Sequence, residues 1–256
     1  MPFFILMKLA SSIDEVLTHL DTIIRFEIDA DSNLAYFPIL YKKVTQRIKE
    51  GIENGEFENN HRMEMLDVIF ANRYIEAYYN MKSNAPISKS WNGAFQATSN
   101  NKLLIMQHLL LGINAHINLD LGIAVAETVG VDGNLADFQQ DFYTINAILE
   151  NMVDDVQAGI GRVSPLFYLL EKVGKGREDK IVSFSINIAR DGAWLFANEY
   201  HLTPDRDFSL NGRDTVIALL ATKLTTTKSR WLRWTIKSIR WLENKNVKQV
   251  AEILNA

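Results

Sequence analysis

Apolar residues recur along this chain at three- and four-residue spacing, in windows separated by polar breaks. That is the pattern of helices with one buried face. Ser11, Ser12, Asp14 and Glu15 give an N-cap and first-turn acids, opening a helix through about Ile28. After a polar break at Asp29 to Asn33, Phe37, Leu40, Val44 and Ile48 mark one side of a second helix over Tyr36 to Gly51. A turn at Asn54 to Asn60 leads to a long helix from His61 to Met81, with Asp67, Arg73 and Glu76 read as its polar positions. Ser88 to Trp91 caps a short piece, and a very apolar helix begins near Asn101.

Gly130 to Gly133 ends that helix, and Leu135 to Asp154 forms the next. Ser164 and Pro165 are an N-cap and N1 pair for a helix to Val173. Gly174 to Gly176 turns into a helix over Glu178 to Tyr200, stopped by Pro204. Helices over Asn211 to Thr222 and Lys228 to Leu242 and a short tail helix complete the chain. Ile181 to Ile186 alternates with period two, but it lies inside a longer helical pattern. The expectation is all-α: a single domain over 1–256, a bundle of about nine or ten helices around a central polar-striped helix.

That central helix, Lys102 to Glu127, is the most apolar long segment, yet it carries two histidines, two asparagines and an aspartate. At about 100° per residue, His108, Gly112, His116, Asp120 and Glu127 share roughly one third of its circumference. Burying such a stripe is costly unless its members are partnered.

Three readings follow. In the first, His116 and Asp120, four residues apart, act as metal ligands or as general base, with a divalent metal as cofactor in a metal-assisted hydrolase. His108 lies roughly 12 Å further along the axis, so it does not share that ion. The shell is instead completed by Asp141, Asp67 or Glu127, with Asp141 assigned. In the second, the stripe is a satisfied core network: His116 bonds Asp120, Asn114 reaches a neighbouring backbone, and Gly112 with Ala115 admits a close helix. In the third, Arg73, Tyr74, Trp91, His108, Asn114, Arg190 and Trp194 line a pocket for a small, anionic ligand. Two arginines among apolar residues call for an acid, from Asp120, Asp141 or the ligand.

Composition narrows the field. An apolar content of 47% and a net charge of −4 are ordinary for a globular protein and point to no nucleic-acid partner. The chain has no cysteine, hence no disulfide and no thiolate chemistry. The apolar run at Met1 to Met7 is too short for a signal sequence or a membrane span. The expected setting is cytoplasmic, with a homo-oligomer as a candidate assembly. No Gly-rich phosphate loop, nucleophile elbow or His-Glu-x-x-His pair occurs.

The run from His108 to Ala124, with Phe70 to Tyr74, Ser90-Trp91, Asp141 to Asn146 and Ala189 to Trp194, resembles the hallmark of a bacterial family of uncharacterised helical proteins. The resemblance spans most of the chain and implies an all-helical fold without an assigned activity. Histidine and aspartate on helices are also similar to the zinc-dependent phospholipase C and P1 nuclease group. That group's site uses several histidines and an N-terminal tryptophan, which five histidines and Met1 do not reproduce.

Residues 228–248 hold seven basic residues against one acid, Glu243, leaving −10 for the remainder. Arg230, Arg233, Lys237 and Arg240 fall on one arc of a helix, with Trp231, Trp234 and Trp241 among the apolar rest. The expectation is a helix packed between neighbours by its broad apolar arc, with a solvated basic edge.

Overall fold

The computed structural model describes residues 8–164, 166 and 185–255, without the side chains of 153–157. Among these residues every regular element is helical. The helices are α1 Ile13–Asp29, α2 Tyr36–Glu53, α3 Asn60–Lys82, α4 Lys89–Ala97, α5 Ile105–Ala115, α6 Leu121–Val129, α7 Gln139–Val163, α8 Ile186–Leu202, α9 Arg206–Thr225, α10 Arg230–Leu242 and α11 Val247–Asn255. One wide π-helical turn, His116–Asp120, joins α5 to α6. The helix expected over Ser164 to Val173, the turn at Gly174 to Gly176 and the start of the helix from Glu178 lie outside the described residues.

Ser12 and Ser88 cap where the sequence places them, accepting from the backbone N–H three residues on. Ser185, expected inside the helix over Glu178 to Tyr200, instead caps the start of α8 by accepting from Ile188 N. Asn59 does the same for α3.

α5, the π turn and α6 form one rod at the centre. It is long and apolar enough to cross a membrane, but its most apolar window is 89% buried inside the protein, which is the setting of a core helix. α2 and α4 pack on the first half of the rod, α3 and α8 on the second, and α9 runs beside α5. Two glycines permit the closest approaches. A Cβ on Gly112 would stand 2.4 Å from Phe37 Cγ, and one on Gly122 would stand 2.7 Å from Phe196 Cδ1. α2 and α8 therefore sit on the rod at backbone distance.

The rod is tied to α9 by polar side chains in register. Gln107 Nε2 donates to Leu224 O at 2.9 Å, and Asn114 Nδ2 donates to Ile217 O at 3.1 Å. Seven residues on each helix, run in opposite directions, give an antiparallel match. Arg213 Nε extends it by donating to Asn118 O at 2.9 Å.

Two expectations are overturned. Asp67, read as a polar position of α3, is buried with Met63, Leu66 and Phe70. The C-terminal basic helix is not packed between neighbours by its whole apolar arc. Only Leu232 and Ile239 of α10 are buried, while Trp231, Trp234 and Trp241 are 74%, 75% and 76% exposed. An arc wider than half the circumference cannot face a single neighbour, so the aliphatic residues took the core and the indoles were left outside.

Candidate functional site

The π turn sets the centre of the site. Leu121 N–H reaches back five residues to His116 O rather than four. The widened turn keeps Asp120 beside His116, so the two side chains meet at the core: His116 Nδ1 lies 3.2 Å from Asp120 Oδ2. Two further donors reach the same carboxylate. Trp91 Nε1, from α4, donates to Oδ2 at 2.8 Å, and Arg73 Nε, from α3, donates to Oδ1 at 3.1 Å. Asp120 is 1% exposed, and Arg73 is the one member whose side chain, 28% exposed, reaches solvent. Three elements thus converge on one buried carboxylate.

The Asp120 bond fixes the tautomer of His116. With Nδ1–H donating, Nε2 carries a lone pair, and that atom is buried without a partner among the described residues. Burial lowers the pKa of the ring, against the pull of Asp120, so His116 is neutral. Its faces are closed by aromatic rings: Phe70 stacks on it at 3.6 Å between centroids, and Tyr41 meets it edge-on at 4.5 Å.

Asn114 accepts from Asn118 Nδ2 at 3.2 Å besides donating to α9. Its side chain is engaged in the inter-helix network, with a contact to a neighbouring backbone as the core-network reading expects.

His108 faces elsewhere. It lines a narrow crevice with Phe37, Tyr74, Trp91, Phe95 and Gly112, between α2, α4 and α5. It is 5% exposed, and both ring nitrogens lack partners among the described residues. Burial, helped by the positive charge of Arg240, pushes its pKa down to about 4. The ring is therefore neutral near pH 7, with one N–H to donate and one lone pair to accept. Trp91 belongs to both sites: its ring walls the crevice and its N–H holds Asp120.

The remaining candidates are dispersed. Asp141 accepts from Glu58 N and Arg62 Nη2, both at 2.7 Å, so it ties α7 to the start of α3 rather than completing a shell at Asp120. Glu127 is exposed. No group of three histidine or acidic side chains able to hold a metal occurs among the described residues. Trp194 packs on Phe142 at 4.8 Å. Arg190 lies over the same ring at 5.3 Å, only 1% exposed, with Nε and Nη2 unpartnered. The two arginines thus divide: Arg73 has its acid and Arg190 has no ion-pair partner among the described residues, and burial pushes the Arg190 guanidinium down to about 9.

Sequence reasoning passed over several groups. Glu243 is buried and accepts from Ile105 N, Ser164 Oγ and Arg240 Nη1, which caps the rod from the far end of the chain. Asp214 caps α4 through Lys89 N and Ser90 N. Tyr41 and Thr45 are buried on α2, and Asp67 Oδ2, of a residue already named as a shell candidate, is buried with no donor among the described residues. For Tyr41 and Thr45 the four-residue spacing on α2 was the available signal.

No curated protein and no solved structure matches this chain. A family model does, over residues 13–227, which takes in the rod, its π turn and every residue of both sites: the chain belongs to the family of unknown function DUF5995.

Proposed function

We propose that this protein is a non-catalytic binding protein. In this reading the Asp120 cluster is a structural hub, and the crevice beside His108, only about 20 Å³ and water-sized as it stands, opens to take a small, flat, uncharged molecule. The observation that carries it is His108: a buried imidazole with both nitrogens unmet opens onto a crevice walled by Phe37, Tyr74, Trp91 and Phe95. Buried polar groups ordinarily find partners, and a ligand offering an acceptor and a donor would supply them here. The aromatic walls suit a ring. A neutral imidazole recruits no anion, and Arg73 is already held by Asp120. A cytoplasmic setting belongs to the same proposal.

The test is a titration with neutral heteroaromatic probes (indole, nicotinamide, uracil), followed through the ring nitrogens of His108 by NMR. At least one probe is expected to shift them at millimolar concentration, with His108→Leu abolishing the effect. Silence from all three would sink the reading.

A second reading, metal-assisted hydrolysis at His116 and Asp120, is favoured by one observation, the free Nε2 of His116. A carboxylate holding Nδ1–H is the arrangement that presents Nε2 to a metal or a proton. Elemental analysis of untagged protein separates the two: stoichiometric metal that is lost in His116→Ala supports the hydrolase, and none supports the binding protein.

A further inference from the structure

α10 begins beyond the family-matched span and is anchored from one side only. Leu232 and Ile239 bury into the core, and Glu243, just past the helix end, caps the rod. On the opposite side Trp231, Trp234 and Trp241 stand exposed, at spacings of three and seven residues. That spacing lines them up along about 15 Å of one face. Ser238 and Leu242 fill the same stripe, both exposed. Arg230, Arg233 and Lys237 form the adjoining arc, also exposed, with no carboxylate within ion-pair distance among the described residues. Lys228, Lys245 and Lys248 extend the positive charge past both ends of the helix.

Three surface indoles in a row, flanked by cations, fit one kind of surface well. Indole is flat and amphipathic, with an apolar body and one N–H, and it settles at the boundary between headgroups and acyl chains. Cations beside it meet anionic headgroups, and a helix of this pattern lies in the interface plane. A second copy fits less well. Antiparallel two-fold pairing through the tryptophans would set the two basic arcs on the same side, like charge against like. The remainder of the chain, at −10, would be held away from an anionic surface, so the helix also orients the molecule.

We infer that α10 is a membrane-docking element that lays its tryptophan stripe on an anionic lipid surface, with Arg230, Arg233 and Lys237 on the headgroups. The inference is independent of the crevice: either can fail alone.

The experiment is co-sedimentation of the full chain with vesicles of phosphatidylcholine alone or mixed with phosphatidylglycerol, alongside tryptophan fluorescence. Three of the five tryptophans lie on α10, so emission reports mainly on this helix. Binding is expected to anionic vesicles, with a blue shift, and to weaken as salt is raised. Reversing the three cations (R230E, R233E, K237E) should weaken it on the order of a hundredfold or more. The W231A, W234A, W241A variant should lose the blue shift and the binding. Both variants change exposed side chains, so the fold should survive, as circular dichroism would check. The inference is overturned by failure to sediment with anionic vesicles, or by equal binding to neutral ones. It is equally overturned if vesicles are ignored while the same tryptophans are needed for dimerisation in sedimentation velocity, or for retarding a single-stranded oligonucleotide.

Discussion

The indole N–H of Trp91 donates to Asp120 Oδ2 at 2.8 Å, so one wall of the crevice is fixed by the buried carboxylate behind it. Asp120 also holds Arg73 and His116, and every one of these donors would be stranded without it. Asp120→Ala is therefore expected to lose about 3–5 kcal/mol, the usual loss when one side of a buried charged pair is removed. Trp91→Phe keeps the ring and gives up one charged hydrogen bond, for about 1–3 kcal/mol. Urea unfolding of both and of the double variant should show non-additive losses, since the partners are shared. Simple additivity would mean that the three donors do not act on one acceptor.

Gly112 gives a test of helix approach. Its Cβ would lie 2.4 and 2.5 Å from two ring atoms of Phe37, a ring held against Tyr41, Tyr74, Trp91 and His116 and unable to withdraw freely. Gly112→Ala should lose about 1–3 kcal/mol despite the better helix propensity of alanine. Gly161→Ala, with nothing within 4 Å of the added carbon, should instead gain about 0.5–1 kcal/mol. Thermal melts of the pair would show opposite signs.

How far the sequence anticipates this arrangement depends on which interaction decides each feature. The rod, its flanking helices and their caps follow from local spacing and capping chemistry, and those were legible. So was the His116–Asp120 pair, because four-residue spacing holds a pair together even across the wider turn. The π turn itself left no trace: no proline or glycine lies within His116–Asp120, and the helices that pack against it, α3, α8 and α9, are distant in sequence. Glu243 was illegible for another reason, since its partner Ile105 N is 138 residues away. Asp67 misled because its sequence neighbours look amphipathic while its own side chain is buried near Tyr41 of α2. The exposed tryptophans of α10 misled in the opposite direction, because apolar periodicity says which residues share a face and not which face finds a neighbour.

Arg190 is the one fully buried guanidinium among the described residues without an acid. Its contact with Phe142 offsets only part of the desolvation. Arg190→Met, similar in length and apolar, should therefore raise stability by about 1–4 kcal/mol in chemical denaturation. A loss instead would show that the charge is partnered in solution, and inorganic phosphate or sulfate that stabilises the parent but not the variant would identify the partner as an anion.

His108 makes stability depend on pH. Its folded pKa, about 4, lies below the ordinary 6.5, so between those values the unfolded chain binds more protons than the native one. Its contribution is complete above about pH 6.5 and is lost as pH falls through the folded value. Two and a half pH units correspond to about 3 kcal/mol. His108→Gln, which cannot titrate, should flatten the slope of unfolding free energy over that window by this amount, and a slope unchanged from the parent would place His108 in water.

Asp67 works in the opposite direction. Burial, with Glu64 nearby on the same helix, raises its carboxyl from 3.8 to about 7. Oδ2 has no donor among the described residues, and the Tyr41 phenol on α2 is near enough to sense its charge. Asp120 is the other acid that Tyr41 senses. Here the native state holds the proton and the unfolded chain releases it, so the native state binds more protons between 3.8 and 7. Stability from this group is present at low pH and falls as pH rises through the folded value. Between pH 5 and 8 the loss is on the order of 3 kcal/mol. Asp67→Asn keeps the shape of the protonated acid without its titration, and is expected to match the parent near pH 5 and exceed it at pH 8. If the two proteins instead lose stability in parallel across that range, the carboxylate is already ionised and solvated in the native state.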